Sequence, residues 1–251
     1  MKIMNRHLAS IGLATGLGAI LAVGVSAQST APVPPFARTD NFDAGLCTGS
    51  CPGALWAIRQ EVNGTVSAAP APGRAGQALY ARAAAKGSGV AKADIVFRSG
   101  PMPVGTVLTT AFDLYIPAAT PINSMQLLDL ECATCGEEGN PGIRLYLRNG
   151  RLRIDRSKIG IANAWVRDDA PVLTPNRWHR IVMTVRIGLE DSGGARVTLN
   201  GQEVLAAQGA TIMPLAARYI DRVQIGITAN SNPVPVSLYF DNVAISARPG
   251  R

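Results

Sequence analysis

The sequence predicts an all-β domain with the two-layer architecture of a jelly-roll β-sandwich. The 251 residues include 26 Gly and 17 Pro, which indicates many turns. Short segments alternate between apolar and polar residues with a period of two, and helical periodicity is weak throughout. A content of 47% hydrophobic and 16% charged residues excludes a disordered chain, and the breaks between apolar segments exclude a multi-span membrane protein.

The first element in chain order is a predicted secretory signal peptide over residues 1–27. Lys2 and Arg6 precede an uncharged apolar run at 11–25, and the small residues Ser26 and Ala27 place cleavage after Ala27. The run is shorter than the roughly 18–20 residues that a spanning helix needs, so no stable membrane insertion is expected. We expect a secreted or periplasmic protein with a Pro-rich leader or linker at 28–40 and one domain at 41–247.

Alternation predicts the strands of this domain. The predicted segments are 76–86, 107–116, 124–132, a hairpin at 143–155, 177–187, a hairpin at 196–205, 222–228 and 237–246. The hairpins turn at Asn149-Gly150 and Asn200-Gly201, which suit the tight turns of two-residue hairpins. Many short strands separated by turn signals favour a sandwich of two antiparallel sheets.

The four cysteines form two close pairs in sequence: Cys47 with Cys51, and Cys132 with Cys135. An even number of cysteines in an exported chain predicts disulfides, and four cysteines allow three connectivities, of which two local bridges are the simplest. A zinc site is the alternative, but an oxidising compartment favours the bridges.

The hairpin at 143–155 is the most informative segment. A two-residue turn places Arg148 opposite Arg151, Tyr146 opposite Arg153 and Arg144 opposite Asp155, while the alternate apolar residues face the core. Guanidinium groups bind carboxylate or sulfate through paired hydrogen bonds, and a tyrosine can stack on a sugar ring. The candidate ligand-binding face therefore consists of Arg144, Tyr146, Arg148, Arg151 and Arg153. The alternative is a solvated outer face in an arginine-rich chain.

The basic net charge does not predict nucleic-acid binding. Removing Lys2 and Arg6 from the 24 basic residues leaves 22 against 17 acidic residues, so the net charge falls from +7 to +5. No motif of a known nucleic-acid reader is present. We expect an acidic polysaccharide as the partner and no nucleic acid.

Four short motifs resemble the concanavalin A-like jelly rolls, which include laminin-G-like domains and related polysaccharide lyases. They are DNFDAG at 40–45, NRWHRIV at 176–182, VTLNGQ at 197–202 and LYFDNV at 238–243. Their order and spacing most resemble the heparin-lyase-like and alginate-lyase-like branch. The resemblance implies the fold and a carbohydrate ligand, but fold alone does not give an activity.

Glycoside hydrolases of this fold carry a motif similar to E-x-D-x-x-E, which supplies a nucleophile and a general acid. Asp129 and Glu131 point to one face, but Leu127 stands where the first Glu is required. We therefore do not expect hydrolysis. Asp129 and Glu131 are candidate ligand-binding residues, and the alternative is that they form ion pairs with the hairpin arginines.

Lyases of this fold carry motifs similar to Q-x-H, R-x-E-x-R and Y-x-K-x-G-x-Y, and this chain departs from all three. Gln126 precedes two leucines, the segment at 92–98 matches only loosely, and Tyr219-x-Asp221 has Asp where Lys is required with Gly226 displaced. Strand alternation places His179 on the same face as apolar residues, so we expect it to be a histidine at the edge of the core. A lyase would therefore depend on Tyr146 or Tyr115 together with Arg148.

Two further site hypotheses concern an aromatic side chain and a metal. Trp165 lies in a polar loop and is the best exposed candidate for a sugar platform, whereas Trp178 belongs to the family motif and is expected to be structural. Asp43 and Asp241 lie near the two ends of the domain, where similar folds bind a structural Ca²⁺. This Ca²⁺ is the one cofactor considered.

These observations lead to a first hypothesis and two alternatives. The first is an exported protein that binds an acidic polysaccharide on the Arg/Tyr-rich sheet face. The second is a polysaccharide lyase that cleaves a uronate-containing polymer by β-elimination. The third is a structural or adhesive surface protein without a sugar site.

Overall fold

The computed structural model describes residues 34–250 and confirms the predicted sandwich of two antiparallel sheets. The predicted signal peptide and its cleavage site lie outside the described residues. An eight-stranded sheet contains β1 (Phe36–Asp40), β3 (Gly64–Pro70), β4 (Gln77–Ala83), β6 (Thr106–Tyr115), β10 (Trp178–Arg186), β11 (Gly194–Leu199), β12 (Gln202–Gln208) and β14 (Val236–Pro249). A six-stranded sheet contains β2 (Ile58–Val62), β5 (Ala91–Pro103), β7 (Met125–Glu131), β8 (Gly142–Arg148), β9 (Arg151–Asp155) and β13 (Tyr219–Asn230).

The six-stranded sheet has the order β2-β5-β13-β7-β8-β9, and the eight-stranded sheet has the order β12-β11-β10-β6-β14-β4-β3 with β1 on β14. Short 3-10 turns occur at Ser157–Ile159 and Glu190–Ser192. Between residues 34 and 250, no helix is long and apolar enough to cross a membrane.

The core lies between the inner faces of the two sheets. Phe112 and Ile181 of the eight-stranded sheet and Ile225 and Leu145 of the six-stranded sheet are fully buried and belong to one apolar cluster. The face assignment predicted for the hairpin at 143–155 and the core-edge position predicted for His179 are therefore confirmed. Each such side chain contributes about 1.5–3 kcal/mol by leaving water, so the inner faces fix which residues of each strand point outward.

The two predicted hairpin turns are confirmed. Asn149 and Gly150 have φ values of 52° and 73°, and Asn200 and Gly201 have values of 52° and 84°. Two consecutive residues with positive φ match the right-handed twist of the flanking strands, which is why Asn-Gly suits this turn.

The N-terminal part of the described chain differs from the prediction. Residues 36–40, which the sequence assigns to the Pro-rich leader, form β1 and pair with β14 from Phe36–Ala247 to Asp40–Val243. The DNFDAG motif forms the turn that follows, in which Asp40 accepts hydrogen bonds from the Phe42 backbone N–H (2.8 Å) and from Trp56 Nε1 (2.7 Å). Strands β2, β3 and β5 are also absent from the prediction, because their alternation is short or interrupted by buried polar residues.

Both cysteine pairs are local. Cys47 is bonded to Cys51 and Cys132 to Cys135, with Cα separations of 5.9 and 5.7 Å. The second bridge directly follows β7, so it closes the loop at the end of the strand that carries Asp129 and Glu131.

Candidate functional site

The outer face of the six-stranded sheet carries a continuous set of polar side chains, which we call the polar face. Strand parity places these residues opposite the core side of each strand. The set comprises Gln60, Lys92, Asp94, Arg222, Gln224, Thr228, Gln126, Asp129, Glu131, Arg144, Tyr146, Arg148, Arg151, Arg153 and Asp155.

The hairpin register is the one predicted from the sequence. Arg144 pairs with Asp155, Tyr146 with Arg153 and Arg148 with Arg151. On the other side of Tyr146, the neighbouring strand β7 contributes Gln126. Gln126, Tyr146 and Arg153 therefore form one row across three strands, which we call the Tyr146 row, and all three side chains remain partly exposed.

The hairpin arginines differ in how their guanidinium groups are engaged. Arg144 donates to the Asp155 carboxylate and to Ser157 Oγ (2.8 Å). Burial opposes ionisation of Asp155, but Arg144 and the Ser157 hydrogen bonds outweigh it and hold the pKa of Asp155 below its usual value. Arg151 donates from Nε to the Ala170 carbonyl (2.9 Å).

Arg148 and Arg153 have no carboxylate partner among residues 34–250, and the Nε of Arg153 is buried without a hydrogen bond. A buried donor without a partner costs about 1–3 kcal/mol. Arg148 and Arg153 therefore carry guanidinium groups that can bind an anion without displacing an internal carboxylate.

Three buried carboxylates, Asp94, Asp129 and Glu131, lie beside the hairpin on the same face and form what we call the acidic cluster. The alternative in which Asp129 and Glu131 form ion pairs with the hairpin arginines is wrong. Glu131 pairs with Lys158 and lies 3.8 Å from Arg222 Nε, and Asp129 accepts a 2.7 Å hydrogen bond from Thr228. Arg144 is already engaged by Asp155.

The position beside Glu131 on β8 is Gly142, so no side chain separates Glu131 from the turn that carries Lys158. This missing side chain explains why Glu131 finds its partner beyond the hairpin rather than within it.

Burial changes the protonation of the acidic cluster. Desolvation raises the pKa of Asp94 to about 8, with Lys92 opposing the shift and Asp129 adding to it. Desolvation and the charge of Glu131 raise the pKa of Asp129 to about 6. Asp94 is therefore largely neutral at pH 7, and the negative charge of the cluster is reduced beside the arginines.

A hydrogen-bond network connects the cluster across β2, β5, β13 and β7. With the Gln60 amide turned so that its nitrogen faces the two acceptors, Gln60 donates to Asp94 (2.8 Å) and to Gln224 (2.7 Å) and accepts from Arg222 (2.6 Å). Gln224 in turn donates to Glu131. These partners come from strands far apart in sequence, so sequence reasoning missed Gln60, Gln224 and Arg222 as members of the face.

The chain matches the family model described as polysaccharide lyase over residues 54–244. It belongs to this family. The matched segment contains the whole six-stranded sheet and with it the polar face, so the family assignment covers the candidate site. No curated protein sequence matches the chain.

Solved structures of similar fold include two lyases and one cellulose induced protein. The endo-β-1,4-glucuronan lyase from the fungus Trichoderma reesei aligns with a TM-score of 0.62 and 16% identity over 78% of this chain and 91% of that one. The cellulose induced protein Cip1 aligns with a TM-score of 0.57 and 16% identity over 83% of this chain and 96% of that one. The alginate lyase Aly36B aligns with a TM-score of 0.53 and 11% identity over 86% of this chain and 97% of that one. These likenesses support the jelly-roll fold.

The structure corrects how the third lyase-like motif lies on β13. Asp221 accepts a 2.7 Å hydrogen bond from the Ala133 backbone N–H, and the Tyr219 hydroxyl lies 3.0 Å from Thr134 Oγ1. A bulge between Ile220 and Arg222 interrupts the pairing of this segment with β5. Gly226 shares the polar face with Arg222, Gln224 and Thr228. These three residues occupy the positions around the glycine where the motif Y-x-K-x-G-x-Y has Tyr, Lys and Tyr.

Two candidate catalytic groups of the lyase family lie away from the polar face. His179 belongs to the eight-stranded sheet, is buried and has its Nε2 2.8 Å from the Thr174 carbonyl, as expected for a histidine at the core edge. Burial lowers its pKa. The structure does not bring Tyr115 together with Tyr146 and Arg148, because Tyr115 lies on the outer face of the eight-stranded sheet and donates to Asn176 (3.4 Å).

Trp165 is not the open sugar platform that its polar loop suggests. Its backbone forms an antiparallel bridge with Ile154, and the Arg156 guanidinium lies 4.1 Å from its ring centroid. Gly209 packs against the same indole, so the ring is partly buried between two neighbours. Trp178 donates to the Pro72 carbonyl (2.8 Å) and lies under Arg74, which agrees with a structural role.

The two carboxylates proposed for Ca²⁺ do not fit calcium ligation as arranged. Asp241 forms a 2.9 Å ion pair with Arg74, and Asp43 accepts a 2.9 Å hydrogen bond from the Gln77 backbone. In the described part of the chain, no group of three or more His, Cys, Asp or Glu side chains could hold a metal ion. A cation on one of the two carboxylates opposes the binding of another.

Proposed function

We propose that this polysaccharide lyase family member binds an acidic polysaccharide along the polar face and cleaves it by β-elimination at the Tyr146 row. The carrying observation is the row itself, which places an amide, a phenol and an unpaired guanidinium side by side on adjacent strands. Directly opposite residues in antiparallel strands have Cβ atoms about 4.5–5.5 Å apart, so all three side chains can reach one sugar residue.

The proposed reaction needs two kinds of group. Abstraction of H5 from a uronate becomes feasible when its carboxylate is bound by donors that stabilise the developing negative charge. Arg153 and Gln126 are the donors in the row. In the proposed step the phenolate form of Tyr146 takes H5, the C5–H electrons form the C4=C5 double bond, the C4–O bond breaks, and the phenol so formed gives the proton to the leaving oxygen.

The surroundings of the row favour an acidic ligand. Arg148 and Arg151 extend the positive charge towards the hairpin turn, and Arg153 has no internal carboxylate to displace. The neutral form of Asp94 at pH 7 reduces the repulsion that a polyanion would meet from the acidic cluster.

A second candidate function is binding without cleavage. Two observations favour it. Thr228 stands two residues after Gly226, where the lyase-like motif has a Tyr, and His179 lies in the opposite sheet, so neither position supplies a catalytic base to the polar face. In this case Tyr146 would stack on a sugar ring and the arginines would hold its carboxylates.

The deciding experiment follows the ultraviolet absorbance of the unsaturated product with polyglucuronate, alginate, heparin and polygalacturonate. We expect at least one polymer to give a rise that Tyr146→Phe reduces by about 100-fold or more. Tyr115→Phe is the matched control and should leave the rate unchanged, since Tyr115 lies on the other sheet.

Two other outcomes would reject the lyase proposal. Affinity electrophoresis that shows retardation by a polymer without any absorbance rise would support binding alone. A protein that neither binds nor cleaves any of the four polymers would support the structural or adhesive alternative.

We also propose that the protein acts outside the cytoplasm. The two cysteine pairs and the family membership support this location.

A further inference from the structure

The outer face of the eight-stranded sheet carries four aromatic side chains in one continuous row, which we call the aromatic row. Tyr239 on β14 lies opposite Tyr80 on β4 and, on its other side, opposite Tyr115 on β6. Tyr115 in turn lies opposite Trp178 on β10. All four side chains are partly exposed. Neighbouring strands lie about 4.7–4.9 Å apart, so the row extends over about 14 Å of the surface.

The rings contact one another but do not form a flat plate. The ring centroids of Tyr80 and Tyr239 are 4.8 Å apart with their planes tilted by 42°, whereas Tyr115 meets Tyr239 edge-on at 6.0 Å and 84°. One face of the Trp178 indole is occupied by the Arg74 guanidinium, which lies 3.5 Å from the ring centroid. The three tyrosines therefore form the part of the row that a ligand can use, and their stepped surface fits a single flexible chain better than a flat, rigid one.

Hydroxyl groups accompany the rings. The Tyr80 hydroxyl lies 3.0 Å from Ser237 Oγ, and Ser67, opposite Tyr80 on β3, extends the row with an exposed hydroxyl. The Tyr239 hydroxyl, at the centre of the row, has no hydrogen-bond partner among residues 34–250. A tyrosine offers an apolar ring and a polar tip. This combination suits a sugar, whose ring carbons present an apolar face and whose hydroxyls lie at the edge.

The charged groups beside the row are paired among themselves. Asp113, two residues before Tyr115 on β6, binds Arg74 (2.9 Å) and Arg180 (3.2 Å). Asp241, opposite Asp113 on β14, also pairs with Arg74 (2.9 Å). Two guanidinium groups and two carboxylates therefore neutralise one another within the protein. This border of the row does not select a charged ligand.

The surroundings of the row favour a sugar over a protein partner. Between residues 34 and 250, the exposed large hydrophobic side chains are valines, and none of them lies on a strand of the eight-stranded sheet. The border opposite the ion pairs carries Thr65, Ser237 and a single cation, Arg82. The centre of a protein interface is more apolar than the rest of the surface, and here hydroxyl groups stand where aliphatic side chains would be expected.

We propose that the aromatic row is a second glycan-binding site, which takes a single chain of an uncharged polysaccharide. The sugar rings stack on the three tyrosine rings, and the free Tyr239 hydroxyl bonds a sugar hydroxyl. The aromatic row and the Tyr146 row lie on the outer faces of opposite sheets. The protein can therefore hold an uncharged chain and an acidic chain at the same time. This inference goes beyond the proposed function and does not depend on cleavage.

The test is affinity electrophoresis with three uncharged soluble polymers, hydroxyethyl cellulose, glucomannan and arabinoxylan, and with polyglucuronate. The main variant is Tyr239→Leu, which removes the central ring and keeps an apolar side chain on β14. Tyr80→Leu tests the neighbouring ring independently. The matched control is Tyr146→Leu, the same substitution at a partly exposed tyrosine of the other sheet. Thermal unfolding of each variant is measured first, so that folded proteins are compared.

We expect at least one uncharged polymer to retard wild-type protein, and Tyr239→Leu to raise its Kd about tenfold through the loss of ring stacking. Tyr80→Leu should raise the same Kd by about threefold or more, because it removes an outer rather than the central ring. Both variants should bind polyglucuronate as wild type does. Tyr146→Leu should show the reverse pattern, with weaker binding of polyglucuronate and unchanged binding of the uncharged polymer.

Several results would overturn the inference. One is the absence of retardation by all three uncharged polymers, and another is a Kd that neither Tyr239→Leu nor Tyr80→Leu changes. A dimer in light scattering that Tyr239→Leu abolishes, without retardation by any uncharged polymer, would assign the row to a second copy of the chain instead. Weaker binding of polyglucuronate alone in Tyr239→Leu would assign it to an acidic chain. The proposed function fails separately, if wild-type protein binds no acidic polymer or Tyr146→Leu binds polyglucuronate unchanged.

Discussion

Asp94→Asn should stabilise the protein, and the gain should increase with pH. Burial raises the pKa of Asp94 from 3.8 to about 8, so the folded state keeps a proton that the unfolded chain releases. Between those two pKa values, folding takes up a proton and the stability therefore falls as pH rises. At 1.36 kcal/mol per pKa unit, the raised pKa of Asp94 lowers the free energy of unfolding by roughly 6 kcal/mol above pH 8 and by roughly 4 kcal/mol at pH 7, relative to low pH.

Asn is neutral, has the shape of Asp and keeps the oxygen that accepts from Gln60. The variant avoids the pH-dependent cost, so its free energy of unfolding should exceed that of wild type by up to roughly 4 kcal/mol at pH 7 and by little near pH 4. The loss of imperfectly replaced hydrogen bonds reduces this gain by about 1 kcal/mol.

The assay is urea unfolding of both proteins from about pH 4 to about pH 9, with Asp168→Asn as the control at an exposed carboxylate. A stability difference for Asp94→Asn that stays constant over this range would refute the reasoning. It would mean that Asp94 is ionised in the folded protein and paired with Lys92 or Arg222.

Two further perturbations test the contacts around the site. Lys158→Met should destabilise the fold by about 3 kcal/mol, because the buried Glu131 then keeps Arg222 as its only and more distant cation among the described residues, beside the Gln224 amide. The double variant Glu131→Gln/Lys158→Met should be more stable than that single variant. Chemical unfolding measures both, and a double variant less stable than the single one contradicts the account. Trp165→Ala should cost about 2–3 kcal/mol in thermal unfolding while leaving the affinity for acidic polymers within about twofold, and a selective loss of affinity at unchanged stability would restore Trp165 as a sugar platform.

Local features of the site could be predicted from the sequence because they depend on neighbouring residues. The Asn149-Gly150 turn fixes the hairpin register, and the period of two then decides which side chains share a face with Tyr146. The same parity places His179 in the core.

The remaining features depend on pairings between distant parts of the chain. Parity gives the face of Tyr115 within its strand but not the sheet to which the strand belongs, so its separation from Tyr146 could not be predicted. The partner of Glu131 depends on the absent side chain at Gly142 and on the path of the turn that carries Lys158. Strand β1 has five residues next to a proline pair, too few for alternation to reveal it.

The central claim is that a uronate polymer is held at the Tyr146 row of the six-stranded sheet. The most direct test is a crystal structure of Tyr146→Phe, which should bind but not cleave, in complex with a glucuronate tetrasaccharide. We expect one sugar carboxylate within hydrogen-bonding distance of Arg153 and Gln126, with C5 of that sugar facing the ring at position 146. A tetrasaccharide bound to the outer face of the eight-stranded sheet, with the row left open, would contradict the account.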